Sequence, residues 1–167
     1  MSLIFKTPRL SISTASVQDI DFIMELEEHP DNSAYVFKGS YNDHLEEISN
    51  ENILLYIINY GGIPIGFSLS SYDSKNQVFE LRRIVISQKD KGYGKEFIQY
   101  LMHYAFSTLN VNRFWLDVFD NNHRGIHLYE SLDMKLEGIL RSTVKTKDGF
   151  LNQYVYSILS VEFNFDL

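Results

Sequence analysis

The residues of this chain best suited to chemistry lie between Glu80 and Lys95. A β-branched run, Ile84-Val85-Ile86, leads into a basic turn, Lys89-Asp90-Lys91-Gly92-Tyr93-Gly94-Lys95, and an amphipathic helical pattern follows at once. A glycine-containing turn that opens a helix aims several backbone N–H groups and the positive end of the helix dipole at one point, which suits a pyrophosphate. Spacing argues against two familiar nucleotide-binding forms. The third glycine of a dinucleotide fingerprint would stand three positions after Gly94, where Phe97 is found, and the chain has no Gly-Lys-Ser or Gly-Lys-Thr after a longer loop. Lys89, Lys91 and Lys95 crowd the turn. As solvated lysines at a helix start they would be slightly disfavoured by the dipole, so contact with an anion is the better reading of their place beside Gly92 and Gly94. A strand, a Gly-x-Gly turn and a helix also occur as plain connections, so the turn needs a second constellation beside it.

That constellation follows the strand pattern Arg113-Phe114-Trp115-Leu116-Asp117-Val118, in the segment from Asn121 to Met134. Together the two segments resemble the GNAT N-acetyltransferase superfamily. The turn is similar to its Q/R-x-x-G-x-G/A motif, with Lys89 in place of the usual Gln or Arg and Gly92 and Gly94 on the glycine positions. The later segment resembles N-x-x-A-I-x-L-Y-E-x-x-G-F, with Asn122 and Tyr129 on its polar landmarks. Gly125 stands where Ala is usual and Asp133-Met134 replaces Gly-Phe, departures that alter helix packing rather than chemistry. Thr7-Pro8-Arg9-Leu10 and the segment from Leu136 to Arg141 look like the branch that holds ribosomal-protein N-terminal and spermidine acetyltransferases.

The resemblance implies acetyl-CoA as co-substrate and transfer of its acetyl group to a primary amine, either a small-molecule amine such as a polyamine or a protein N-terminus. It implies that backbone amides of Lys89, Lys91, Gly92, Tyr93, Gly94 and Lys95 hold the pyrophosphate. It also implies that the strand at Ile84, Val85 and Ile86 aligns the pantetheine arm and offers an N–H to the thioester carbonyl. Tyr129 matches the family tyrosine beside the sulfur, and a phenol with a pKa near about 10 can protonate a thiolate while neutral itself. Without the motif, a Tyr on a helix facing a sheet is core packing. Asn122 is expected to contact the pantetheine arm, to cap the helix that it begins, or both. For the general base the resemblance points to Glu80, at the head of the strand; an exposed ion pair with Arg82 is the other reading. Glu28 and His29 could line the acceptor site or form a solvated helix end. An acyl-CoA-binding module without turnover is the alternative from a different functional class. A homodimer is compatible with the resemblance.

The chain has 167 residues and 44% hydrophobic composition, enough for one domain with a sizeable core. It contains no cysteine, which excludes disulfides, a thiolate metal site and a cysteine nucleophile. His123 and His127 stand four apart, but no third ligand is placed by sequence, so no metal is expected. A net charge of −7 disfavours nonspecific nucleic acid binding and modestly favours cationic substrates such as amines. No run approaches the ~20 apolar residues that span a bilayer, and no signal core opens the chain, so no membrane partner and a cytoplasmic location are expected.

The elements that must position these residues read as one continuous unit over residues 1–167. Leu10 to Ser13 is a short strand, and Ser16 to Asp19 reads as a capping box opening a helix through Ile20, Ile23 and Met24, stopped by His29-Pro30. A short helix over Tyr41 to Asn50 precedes strands at Ile53 to Ile58, Ile63 to Ser70 and Val78 to Ile86, joined by Gly61-Gly62 and Asp73-Ser74-Lys75-Asn76 as an antiparallel meander. Phe97, Ile98, Leu101, Met102, Ala105, Phe106 and Leu109 recur at helical spacing. After the strand at Arg113 and the helix near Asn122 to Ser131, two strands flank Asp148-Gly149. The fold expected is α/β, a GNAT-type mixed, mostly antiparallel central sheet flanked by helices.

Overall fold

The computed structural model describes residues 2–165. Eight strands form one sheet: β1 (Leu3–Lys6), β2 (Leu10–Thr14), β3 (Ile53–Tyr60), β4 (Ile63–Asp73), β5 (Val78–Ile86), β6 (Arg113–Phe119), β7 (Lys135–Thr146) and β8 (Gly149–Leu159). Their spatial order is β1-β2-β3-β4-β5-β6-β8-β7. The helices are α1 (Ile20–Glu28), α2 (Pro30–Ser33), α3 (Tyr41–Ser49), α4 (Tyr93–Ser107) and α5 (His123–Glu130). The meander forms as the turn residues predict: Gly61 and Gly62 both take positive φ between Tyr60 and Ile63, as a two-residue hairpin requires. β1 and α2 were not legible in the sequence; β1 is a four-residue edge strand and α2 a single turn begun by Pro30.

The helices divide between the two faces. α1 turns Ile23 and Leu26 onto Leu55, Ile57, Phe67, Leu69 and Val85, with Ile48 of α3 beside them. α4 buries Phe97, Ile98, Leu101, Met102 and Ala105 on the opposite face, where Tyr129 of α5 joins the same core. Each large apolar side chain buried in this way contributes about 1.5–3 kcal/mol. Phe97, fully buried under the sheet, is the α4 anchor, and its truncation to Ala would cost about 3–5 kcal/mol.

Two backbone details open the sheet where it matters. β5 and β6 are its one parallel pair, and they are paired only from Val78 to Glu80 against Arg113 to Trp115. Past that point β5 stays with β4 and β6 with β8, so the two strands part and leave a gap. A β-bulge in β5 at the level of Leu69 and Ser70 bends the strand just after Glu80. At the far end of β5, Gly66 lets β4 approach closely, since a Cβ there would lie 2.3 Å from the Val85 carbonyl oxygen.

Candidate active site

The gap between β5 and β6 is a cleft of about 830 Å³, roofed by α5 and closed at one end by the start of α4. Because pairing with β6 stops at Glu80, the inner edge of β5 from Leu81 to Ile86 has no strand beside it. Alternate backbone N–H and C=O groups of that edge are therefore open to an extended ligand. At the α4 end, Gly92 is the N-cap with φ +76, a left-handed conformation in which glycine is favoured. Gly94 is different: a Cβ there would meet only Leu128, at an ordinary 3.7 Å. The protein's own packing does not require glycine at position 94, and the residue borders the cleft.

Ile84, Val85, Ile86, Lys89, Gly92, Tyr93, Gly94, Lys95, Asn122 and Tyr129 all border this cleft. Lys91 and Glu80 do not. The lysines of the turn thus separate. Lys91 is exposed and lies off the cleft, Lys95 is exposed on its rim, and Lys89 reaches away from the turn to donate to Asn32 Oδ1 at 2.7 Å. Burial pushes the Lys89 ammonium below its ordinary value, with Arg124 adding to the effect. Arg124 of α5, a cleft residue that sequence reading passed over, forms an ion pair with Asp90 in the turn. Asn122 is the N-cap of α5, its Oδ1 accepting from Gly125 N at 2.9 Å, and it borders the cleft as well.

Tyr129 is 8% exposed, with its ring in the core and the cleft beside it. Burial, then the negative charge of Asp117, pushes its phenol up to about 12. Such a group is protonated at any working pH and can serve only as a proton donor. Glu80 accepts from Ser71 Oγ and from Arg82 Nε, each at 2.9 Å and both on Oε2. Asp117 of β6, which sequence reading did not single out, lines the cleft. Burial pushes its carboxyl above the ordinary aspartate value, a hydrogen bond from Gln153 Nε2 at 2.7 Å opposes this, and the charge of Glu80 adds to it. A half-buried carboxylate of raised basicity and a protonated phenol thus border one cleft, each displaced by its environment.

On the α1 side, Glu28 is exposed and His29 caps α2 by accepting from Asp31 N; neither borders the cleft. The acidic residue that turns inward is Glu27, 1% exposed, held by Arg83 Nη1 at 2.6 Å and by His44 Nε2 at 3.2 Å. Glu47 closes the ring by meeting both Arg83 and His44. Arg83 lines the cleft with its charge neutralised, and Glu27 also accepts from Gly39 N, which ties down the segment carrying Phe37. Phe37 then reaches across to Phe119 of β6, ring centroids 5.3 Å apart. This part of the cleft is therefore walled by aromatic rings and by Arg82 and Arg83, each paired with a carboxylate, and Asp117 borders the same cleft. Among the described residues no group of three His, Cys, Asp or Glu side chains could hold a metal ion, and no helix is long and apolar enough to cross a membrane.

A profile of the Acetyltransferase (GNAT) family matches residues 17–134. An uncharacterised N-acetyltransferase of Bacillus licheniformis is 37% identical over 73 residues, which is 44% of this chain and 41% of that protein. A Bacillus subtilis N-acetyltransferase is matched over 45% of its length, so the chain spans under half of these two relatives. A spermidine N(1)-acetyltransferase of Vibrio cholerae is 25% identical over 144 residues, 79% of this chain and 82% of that one. Among solved structures, a spermidine N-acetyltransferase from Vibrio cholerae in complex with CoA and spermine superposes with a TM-score of 0.82 at 20% identity, covering 92% of this chain and 97% of that one. A GNAT-family acetyltransferase from Bacillus anthracis superposes with a TM-score of 0.78 at 20% identity, covering 94% and 98%. At that identity the superpositions speak for the fold, a mixed sheet flanked by helices as expected.

Proposed function

The chain belongs to the GNAT acetyltransferase family, and from that premise we propose that it is an acetyl-CoA-dependent N-acyltransferase acting on a primary amine in the cleft between β5 and β6. One observation carries the proposal. The cleft joins a helix start with glycine at two positions, an unpaired strand edge and a buried phenol held protonated. These are what a pyrophosphate, an extended amide-bearing arm and a departing thiolate each require.

Backbone N–H groups at Gly92, Tyr93 and Gly94, with the α4 dipole, hold the pyrophosphate. Lys95 on the rim and the paired Arg124 border the same end. Lys89 borders it too, with its ammonium given to Asn32. The open edge of β5 from Ile84 to Ile86, with Asn122 opposite, aligns the arm. The co-substrate supplies an activated acyl carbon and a thiolate leaving group. Asp117 takes the proton from the bound ammonium, so that the amine nitrogen can form its bond to the acyl carbon. As the carbon–sulfur bond breaks, Tyr129 Oη gives its proton to the sulfur. The nitrogen loses its second surplus proton as the amide forms, which makes good by way of solvent the proton Tyr129 gave up, and Asp117 releases the ammonium proton, so one proton leaves per turnover. We assign the base role to Asp117 over Glu80 because Asp117 lines the cleft, whereas Glu80 does not border it and is engaged by Ser71 and Arg82. Relatives named for spermidine keep the polyamine in the panel to be tested.

The test is thiol release from acetyl-CoA over a panel of monoamines, polyamines and peptides with free α-amines. Turnover with one class identifies the acceptor. Binding of acetyl-CoA with no release over the whole panel would overturn the transferase reading and leave an acyl-CoA-binding module.

A further inference from the structure

The Thr7-to-Leu10 segment does not line the cleft, yet it is built against the back of the pyrophosphate turn. Thr7 and Leu10 close a small turn on themselves, Thr7 N donating to Leu10 O and Leu10 N to Thr7 Oγ1. From it, Thr7 Oγ1, Arg9 N and Arg9 Nε all donate to the carboxylate of Glu96 in the first turn of α4, at 2.5, 3.0 and 2.6 Å. The other end of the Arg9 guanidinium donates from Nη1 to the Lys91 carbonyl oxygen at 2.9 Å and lies over the Tyr93 ring, 4.6 Å from its centroid. A Cβ placed on Gly92 would come within 3.4 Å of Arg9 Nη2. One side chain thus spans the residues before, at and after the left-handed glycine.

Resting on the function proposed above, we infer that Arg9 is a positioning residue for cofactor binding: by holding the Lys91 carbonyl from behind, it aims the Gly92 N–H into the cleft. The reason is the planar trans peptide. Its C=O and N–H point in opposite directions, so fixing the Lys91 oxygen on the outer side fixes the Gly92 N–H on the inner side. Without that anchor, glycine's wide φ/ψ freedom lets the peptide turn over, and the amide that should meet an anion is spent on solvent. Glu96 completes the device. Its own N–H donates to Gly92 O at 3.1 Å while its carboxylate orients Arg9, so the turn is gripped from both ends by one residue. Burial works to raise the Glu96 carboxyl, but hydrogen bonds from Thr7 and Arg9 outweigh it and hold it below the ordinary value, which keeps the anchor charged.

The experiment measures CoA affinity by calorimetry, together with kcat and the KM for acetyl-CoA, for the parent, Arg9→Ala, Arg9→Lys and Arg113→Ala. Arg113 is a second surface arginine on a carboxylate, Glu137, away from the cleft, and it controls for lost packing and charge. Arg9→Ala should raise the dissociation constant for CoA and the KM for acetyl-CoA about tenfold, the loss expected of one charge-assisted hydrogen bond. Its kcat and its KM for the amine should stay at the parent values. Arg9→Lys, which can reach one partner but not span both, should fall between. Arg113→Ala should bind CoA as the parent does. Parent-like CoA affinity in Arg9→Ala, or an equal loss in Arg113→Ala, overturns the inference alone. A parent chain that fails to bind CoA overturns the functional reading and this inference with it.

Discussion

Replacing Asp117 by Asn asks whether the cleft contains its own base. Asn keeps an oxygen at Oδ1 to accept from Gln153 Nε2, so the one hydrogen bond that fixes the side chain survives and the fold should persist. What is lost is the acceptor for the substrate's proton, and the amine must then arrive neutral. An alkyl amine with a pKa near about 10.4 is neutral at pH 7 only to a fraction on the order of 10⁻³, and an α-amine near about 8 to a fraction on the order of 10⁻¹. Turnover at neutral pH should therefore fall by about 10²–10⁴-fold, the usual contribution of a positioned base, and further for an alkyl amine than for a peptide α-amine. The rate of the variant should climb with pH until it reaches the amine's own pKa. In the parent, the acidic limb should instead report Asp117, displaced upward by burial and by Glu80. The assay is thiol release against pH, with the melting temperature measured alongside. Glu80→Gln removes a pair with Arg82 worth about 0–1 kcal/mol and the charge that helps to raise Asp117, so it should lower the acidic limb slightly and leave the plateau rate at the parent value. An Asp117→Asn profile that overlays the parent, or a limb in Glu80→Gln that climbs to the amine's own pKa, would refute the assignment.

Tyr129→Phe keeps the ring in its core and deletes the proton donor, so turnover should drop on the order of 10²-fold with CoA affinity unchanged, read from single-turnover rates and calorimetry. Because the phenol is held up near about 12, Tyr129 should impose no alkaline limb on the rate profile below about pH 10. On the acid side, hydrogen bonds from Arg113 and Ser157 hold Glu137 down to about 2 against an ordinary value of 4.5. That stabilisation is complete above 4.5 and is lost as pH falls toward 2, so the decline of melting temperature in this window should flatten in Arg113→Ala.

The turn at Gly92, the α4 pattern and the Gly61-Gly62 hairpin were legible because each is local: φ preference and side-chain period decide them within a few residues. Asp117 was hidden for the opposite reason. In sequence it is one polar residue of an alternating strand. Its burial and charge follow from β8 bringing Gln153 beside it and from the parting of β5 and β6 past Glu80, contacts made across the chain. Glu80 was singled out from its position at a strand head. The structure shows a side chain already engaged by its strand neighbour Ser71 and by Arg82. Of the two readings of Glu28 and His29 the structure shows the solvated helix end, and the inward acidic residue of α1, Glu27, was passed over. Glu27 lies four residues after Ile23, on the buried stripe of α1, and that stripe could have been counted from Ile20, Ile23 and Leu26. Likewise Ser40 and Asp43 form a capping box that marks the start of α3, a signal present in the sequence and not used.

The central claim is that the cleft between β5 and β6 moves an acetyl group to an amine, and stoichiometry tests it most directly. The parent chain is incubated with acetyl-CoA and the preferred amine; free thiol is titrated and the amine product weighed by mass spectrometry. One acetylated amine should appear for each thiol released, and neither in Gly94→Val, whose branched side chain the protein's own packing leaves room to begin but which fills the space above the turn. Thiol release without an acetylated amine, or equal product from Gly94→Val, would contradict the account.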